Sequence, residues 1–253
     1  MFKLVKYELR ANFLTIIGIC ITVIVASLLL MTKKGTWSNT TIIGLSGCLI
    51  IVSVIVIFIA SLKIMSKYLY GDSGYLLFTL PQSGKSIMAS RIITSLIQIS
   101  IVLIVTILMS NLTVADKIDF SFLKNLKPGL MLYSTINYIW GIIYFLTIIY
   151  FCMVIGKIAL KGKKIGKVGS FIIFIILAIG IIWLSTKITT LLPQNLNLSN
   201  FTMNTGSLKL NSDFTSSTGA FNINIAGAVF DIIIFIGLFM TSSYLIDKKL
   251  DLS

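Results

Sequence analysis

The sequence contains no histidine, and only 11% of its 253 residues are charged. The absence of histidine removes imidazole-based acid–base catalysis and the commonest metal ligand. Soluble domains carry roughly 25% charged residues, so this chain has less than half of the usual share. Hydrophobic residues make up 57% of the chain, and no water-soluble fold of this length buries so much apolar surface. The composition therefore predicts a membrane protein.

Cysteine is also scarce. The three cysteines, Cys20, Cys48 and Cys152, all lie inside apolar runs, and no two of them have the spacing of a zinc site. A thiol buried among apolar groups usually acts as an inert packing group. We expect neither a disulfide nor a metal site.

The net charge of +13 is compatible with nucleic-acid binding as well as with a membrane location. The basic residues, however, cluster at the ends of the apolar runs, where lysine and arginine orient a membrane protein. We therefore expect a lipid bilayer around the chain and no nucleic-acid partner.

Six apolar runs are long enough to cross the hydrocarbon core of a bilayer, which takes about 20 residues of helix. They cover approximately residues 14–31, 42–62, 92–114, 130–156, 168–186 and 225–246. We predict an all-α membrane protein with six transmembrane helices in a single domain over residues 1–253. Gly44 and Gly47 would permit a close helix contact in the second span.

The N-terminal residues 1–13 have an amphipathic pattern, because Phe2, Val5, Leu9 and Phe13 share one face of a helix. The basic residues beside this face are Lys3, Lys6 and Arg10. The pattern predicts a short helix lying in the inner membrane interface. The alternative is a simple basic flank to the first span.

The distribution of basic residues predicts the orientation. If the N-terminus is inside, 14 of the 21 basic residues fall in inner segments and 7 in outer ones. This bias places both termini and the loops 63–91 and 157–167 in the cytoplasm. The large outer segment, 187–224, has short alternating patterns with Asn204-Thr205-Gly206 as a turn, which indicate either a small hairpin or lid, or a mobile loop.

The loop 63–91 has an unusual centre. Gly71 and Gly74 bracket Asp72 and Ser73, which suits a tight turn and the start of a helix. Residues 75–78 then supply about one turn of apolar surface before Pro81 ends it. We predict a short helix with an exposed apolar face, which is typical of a docking surface.

This loop resembles the loop between the second and third spans of ABC-2 type permeases, the membrane subunits of bacterial ATP-driven exporters. The matching positions are Asp72, Gly74, Tyr75, Leu76, Thr79, Leu80, Pro81, Ser83 and Arg91. In that family the loop carries a coupling helix that sits on the ATPase subunit. The resemblance thus implies ATPase-coupling roles for Asp72, Gly74, Tyr75, Leu76, Phe78, Thr79, Leu80 and Pro81.

The resemblance further implies a transporter of two permease protomers, identical or homologous, and two ATP-binding cassette subunits in a bacterial plasma membrane. ATP and magnesium would bind the partner ATPase, so we expect this chain to be neither an enzyme nor a holder of a cofactor. Gly84-Lys85-Ser86 imitates the end of a phosphate-binding loop, but Thr79 stands where that loop needs a glycine.

The resemblance implies a cargo such as an antimicrobial or amphipathic peptide, a drug or a lipid-linked sugar. The apolar spans and the small outer segment favour a peptide or a small apolar antibiotic. Two residues are candidates for the substrate path. Asp231 is a carboxylate inside the sixth span, where such groups are costly and often functional, and Tyr144 belongs to the aromatic-rich fourth span. Structural pairing and packing are the alternatives for these two side chains. Alternative functions are an ATP-independent channel or ion-coupled carrier, and a membrane scaffold or sensor without transport.

Overall fold

Six long helices account for most of the chain in the computed structural model, which describes residues 2–33, 36–70, 83–114, 128–159, 166–197, 202–205 and 222–248. They are α1 (Phe2–Thr32), α2 (Asn39–Tyr70), α3 (Gly84–Val114), α4 (Pro128–Ala159), α5 (Gly166–Leu191) and α6 (Ile225–Lys248). All six are long and apolar enough to cross a membrane. The prediction of a multi-pass helical membrane protein is confirmed to this extent.

The helices extend beyond the predicted spans. The second predicted span ends at residue 62, whereas α2 continues to Tyr70, and the third begins at residue 92, whereas α3 starts at Gly84. Exposed lysines such as Lys63, Lys67 and Lys85 lie in these extensions. A helix can continue past the hydrocarbon core because its backbone remains hydrogen-bonded and long basic side chains reach water. Hydropathy therefore marks the membrane-buried part and not the helix ends.

The N-terminal residues are continuous with the first span, because α1 runs unbroken from Phe2 to Thr32. They do not form a separate short helix in the described structure. The face of α1 that packs against the other helices contains Val5, Glu8 and Ile16, which are buried, whereas Phe13 is 58% exposed. A position of these first turns in the membrane interface stays a prediction.

The chain divides into two compact units, one over Met1–Tyr150 and one over Phe151–Leu250. In the first unit, α3 packs along both α1 and α2, and α1 also contacts α2. The predicted contact at Gly44 and Gly47 is not found there, since a Cβ atom at either residue would meet nothing within 4 Å. The prediction of a single domain stays a prediction.

The second unit contains α5, α6 and a small antiparallel sheet between them in sequence. Its strands are β1 (Gln194–Asn197), β2 (Thr202–Thr205) and β3 (Asn222–Asn224), in the order β2-β1-β3. The antiparallel pairing of β1 with β2, with Leu196 opposite Met203, agrees with a hairpin in the segment 187–224. The predicted turn is wrong, because Asn204 and Thr205 lie within β2 and pair with β1. The third strand was not predicted, because three residues are too few to show an alternating pattern.

Asn224 joins this sheet to the helices of the second unit. Its side-chain oxygen accepts a hydrogen bond of 2.8 Å from the Gly227 backbone N–H, so Asn224 is the N-cap of α6. Its side-chain nitrogen donates to the Leu192 carbonyl, just after α5, at 3.0 Å. A Cβ atom at Gly227 would lie 3.1 Å from Thr189 Cγ2, so α5 and α6 approach closely at this point.

Candidate functional site

A polar cluster lies inside the first unit, on one face of α3. Arg91, Thr94, Ser95 and Gln98 follow the spacing at which residues share a helix face, and all four are buried. Buried polar groups are costly in an apolar bundle unless they are paired. Two of these side chains, Arg91 and Ser95, contact neighbouring helices through polar groups.

Arg91 forms an ion pair with Glu8 of α1. The Arg91 Nη1 atom lies 2.8 Å from Glu8 Oε1, and the two side chains are only 8% and 10% exposed. Val5 and Ile16, which lie on the same face of α1, are buried as well. The pair thus connects α1 to α3 from within the packed face of α1.

Tyr68, in the last turns of α2, contacts the same guanidinium. Its ring centroid is 5.0 Å from Arg91 Cζ, which is a cation–π distance. Tyr68 is 2% exposed, so this contact is buried too. Arg91 therefore touches both α1 and α2, and its planar guanidinium can satisfy a carboxylate and an aromatic face together, which a lysine ammonium does less well.

A second polar contact connects α4 to the same cluster. The Tyr150 hydroxyl lies 2.6 Å from Ser95 Oγ of α3 and donates to the Ser61 carbonyl of α2 at 3.3 Å. Tyr150, Ser95 and Ser61 are all fully buried. Unlike the pair at Arg91, every group in this contact is neutral.

The cluster lies at one end of the bundle. Glu8 is near the start of α1, Tyr68 near the end of α2, Arg91 near the start of α3 and Tyr150 near the end of α4. This is the end at which the segment 71–82 connects α2 to α3. The arrangement can hold the ends of three helices at fixed positions around one charge pair.

Sequence reasoning missed this site. The sequence pattern assigns Arg91 to the inner basic residues and to the positions that match the permease loop, and it predicts no role for Glu8. Two signals were available: Glu8 is the single acidic residue before Asp72, and Arg91 is one of two arginines among 21 basic residues. An isolated acid and an arginine in a lysine-rich chain are both typical of a specific pairing.

The predicted coupling residues lie outside the described part of the chain. They are Asp72, Gly74, Tyr75, Leu76, Phe78, Thr79, Leu80 and Pro81. Their flanks are described: α2 ends at Tyr70, two residues before Asp72, and α3 begins at Gly84. The coupling role stays a prediction.

The two candidates for a substrate path belong to different units. Tyr144 is half-buried in the first unit, where the Trp140 ring stacks on it at a centroid distance of 6.4 Å. Asp231 is half-buried in α6 of the second unit. The stacked Trp140 ring agrees with the packing alternative for Tyr144. The role of Asp231 stays a prediction.

The chain has no match among protein-family models, curated proteins or solved structures.

Proposed function

We propose that this chain is the membrane subunit of an ATP-driven exporter, in which a separate ATP-binding cassette protein hydrolyses ATP. The proposal rests on the resemblance of residues 72–91 to the coupling loop of ABC-2 type permeases. Six helices that can span a membrane agree with the expected number. Two such chains and two ATPase subunits would form the transporter.

One structural observation supports this function above the alternatives. The segment 71–82 joins α2 directly to α3, and these two helices pack along each other with Tyr68 against Arg91 next to the join. A force on the segment would therefore reach two spans at once, and α1 as well through Glu8. A coupling element needs such a connection.

The cluster also bears on the carrier alternative. An ion-coupled carrier needs polar ligands that are available to the ion. The Glu8 carboxylate is engaged by Arg91 at 2.8 Å and is therefore not such a ligand. The apolar spans and the small segment 187–224 favour, among the cargoes that the family resemblance implies, a peptide or a small apolar antibiotic, moved out of the cytoplasm.

Purification tests the proposal. The full chain, tagged at its C-terminus and extracted with a mild detergent from cells that naturally express it, should co-purify with an ATP-binding cassette protein. The complex in nanodiscs should hydrolyse ATP. A chain that purifies alone and mediates ion flux into liposomes without ATP would instead support the channel or carrier alternative.

A further inference from the structure

We infer that α1, α2 and α3 move as one rigid body during the transport cycle, and that α4 shifts against them at the Tyr150 hydroxyl. The inference rests on the proposed function, since it states which contacts persist and which exchange when ATP acts. It follows from the difference between the two polar contacts of the cluster.

The contact around Arg91 is costly to open. The side chains of Arg91 and Glu8 are 8% and 10% exposed, and the Tyr68 ring covers the guanidinium at 5.0 Å. Separating α1 from α3 would leave two opposite charges without partners in a medium of low dielectric constant. Separating α2 from α3 would remove the aromatic face. A movement that keeps the three helices together avoids both losses.

The contact at Tyr150 is less costly to open than the contact around Arg91. It consists of neutral hydrogen bonds, whose net contributions are small compared with a buried charge pair. The serine hydroxyls near Tyr150 can also form hydrogen bonds within their own helices. Four hydroxyls of α3 donate to carbonyls of their own helix: Ser90 to Ile87, Thr94 to Ser90, Thr106 to Val102 and Thr113 to Met109.

Ser95 differs from those four residues because it bonds across to α4. If Tyr150 moves away, the Ser95 hydroxyl can turn to a carbonyl of its own helix in the same manner, so Ser95 keeps a partner. The Tyr150 hydroxyl must then find a new acceptor in the shifted position, because it is fully buried. Ser61 already donates to the Ile57 carbonyl at 3.0 Å. The Tyr150 contact is therefore exchangeable, and the Arg91 contact is not.

A first experiment compares the strengths of the two contacts on the purified chain alone. Glu8→Gln leaves the Arg91 charge buried and should lower the melting temperature in detergent clearly more than Tyr150→Phe does. Arg10→Gln, at an exposed site on α1, and Tyr138→Phe, at an exposed site on α4, are the matched controls. An equal or larger loss for Tyr150→Phe would overturn the inference whether or not an ATPase partner exists.

A second experiment measures the movement in the complex with its ATPase. Spin labels at Tyr7 and Lys85 report the distance between α1 and α3, and labels at Leu108 and Leu132 report the distance between α3 and α4. All four residues are exposed. The free cysteines Cys20, Cys48 and Cys152 are first replaced by alanine, and each singly labelled variant serves as the control for distances between protomers.

With ATP and vanadate, the Tyr7–Lys85 distance should stay unchanged while the Leu108–Leu132 distribution shifts. A shift of the Tyr7–Lys85 distance would overturn the inference, and so would two unchanged distances in a complex that hydrolyses ATP. These outcomes differ from failure of the proposed function, in which no ATPase co-purifies; the melting comparison then decides whether the two contacts differ in strength as required.

Discussion

The Arg91 guanidinium of α3 meets the Glu8 carboxylate of α1 at 2.8 Å, in a bundle whose helices are otherwise largely apolar. The pair is enclosed by protein on both sides, so neither water nor salt screens it effectively. Removing one partner of a buried pair typically costs about 3–5 kcal/mol, because the other charge is left uncompensated. The pair therefore specifies how the ends of α1 and α3 meet.

Arg91 should tolerate lysine better than glutamine. Arg91→Gln leaves the Glu8 carboxylate buried without a counter-charge and should cost roughly 3–5 kcal/mol of stability. Arg91→Lys keeps the charge but loses the planar contact with Tyr68, for a cost of about 1 kcal/mol. Thermal unfolding in detergent measures the stability loss of both Arg91 variants, and Lys85→Gln at an exposed site of α3 is the control. Equal losses for the two Arg91 variants would show that the charge is not the stabilising feature.

The spans were predictable because they depend on a one-dimensional property. A run of about 20 apolar residues is sufficient for a membrane helix, whatever its neighbours are. The helix ends were not predictable in this way, because the continuation of α2 to Tyr70 and the start of α3 at Gly84 depend on side chains that leave the hydrocarbon core. The alternation around Leu196 and Met203 indicated paired strands, but the turn was predicted at the wrong place, since Asn204 and Thr205 lie within β2.

The polar cluster could not be predicted because it depends on which helix faces meet. The apolar face of residues 1–13 was assigned to the membrane interface, and no packed face was predicted; the packed face contains Val5 and Glu8. In a membrane bundle, apolar residues face lipid as readily as they face other helices, so hydrophobicity does not identify the packed face. The rare polar residue is the better guide, and Glu8 is an example.

Asn224 should stabilise the start of α6 through two separable bonds. Asn224→Ala removes the cap on Gly227 and the bond to the Leu192 carbonyl, at a combined cost of about 2 kcal/mol. Asn224→Asp keeps the capping acceptor and loses only the donor, so it should cost less than the alanine variant. Hydrogen exchange at the Gly227 amide measures the effect locally. Similar exchange in all three proteins would contradict the capping role.

The orientation can be tested at two exposed residues in the short connections of the first unit. After replacement of the native cysteines, Thr36→Cys should react with a membrane-impermeant maleimide added to intact cells. Ser83→Cys should react only after the membrane is opened. Both residues are exposed in the structure, so the difference would report the side of the membrane and not local burial. Labelling of Ser83→Cys in intact cells would reverse the predicted orientation.

Replacing Asp231 by asparagine distinguishes a transport role of this carboxylate from a structural role. If its carboxylate faces the substrate path, Asp231→Asn should change cargo-stimulated ATP hydrolysis while the melting temperature stays the same. If the carboxylate instead forms a structural contact, the Asp231→Asn variant should lose both thermal stability and cargo-stimulated ATP hydrolysis. Asp247→Asn, at the exposed end of the same helix, is the control. Unchanged stability and hydrolysis would exclude both roles.

The segment 71–82 is the part of the chain through which the ATPase would move the spans. Large aromatic anchors often carry much of the energy of an interface, and truncating one costs roughly 2 kcal/mol or more. Tyr75→Ala combined with Phe78→Ala should therefore weaken binding of the ATPase subunit by at least 10-fold, as expected for a loss above about 1.4 kcal/mol. Membrane insertion should be unchanged, because both residues lie between the spans and outside them.

Co-purification and ATP hydrolysis in nanodiscs measure this effect, and Asp72→Asn refines it. Asparagine can still cap a helix, but it removes the charge that would meet a basic residue on the ATPase. If the Asp72→Asn variant binds the ATPase as the unchanged chain does, Asp72 acts as a helix cap. If the variant no longer binds the ATPase, Asp72 belongs to the interface. If the Tyr75 and Phe78 double variant still co-purifies with its ATPase and keeps cargo-stimulated hydrolysis, this turn rests against the membrane surface, and the coupling contact must lie elsewhere.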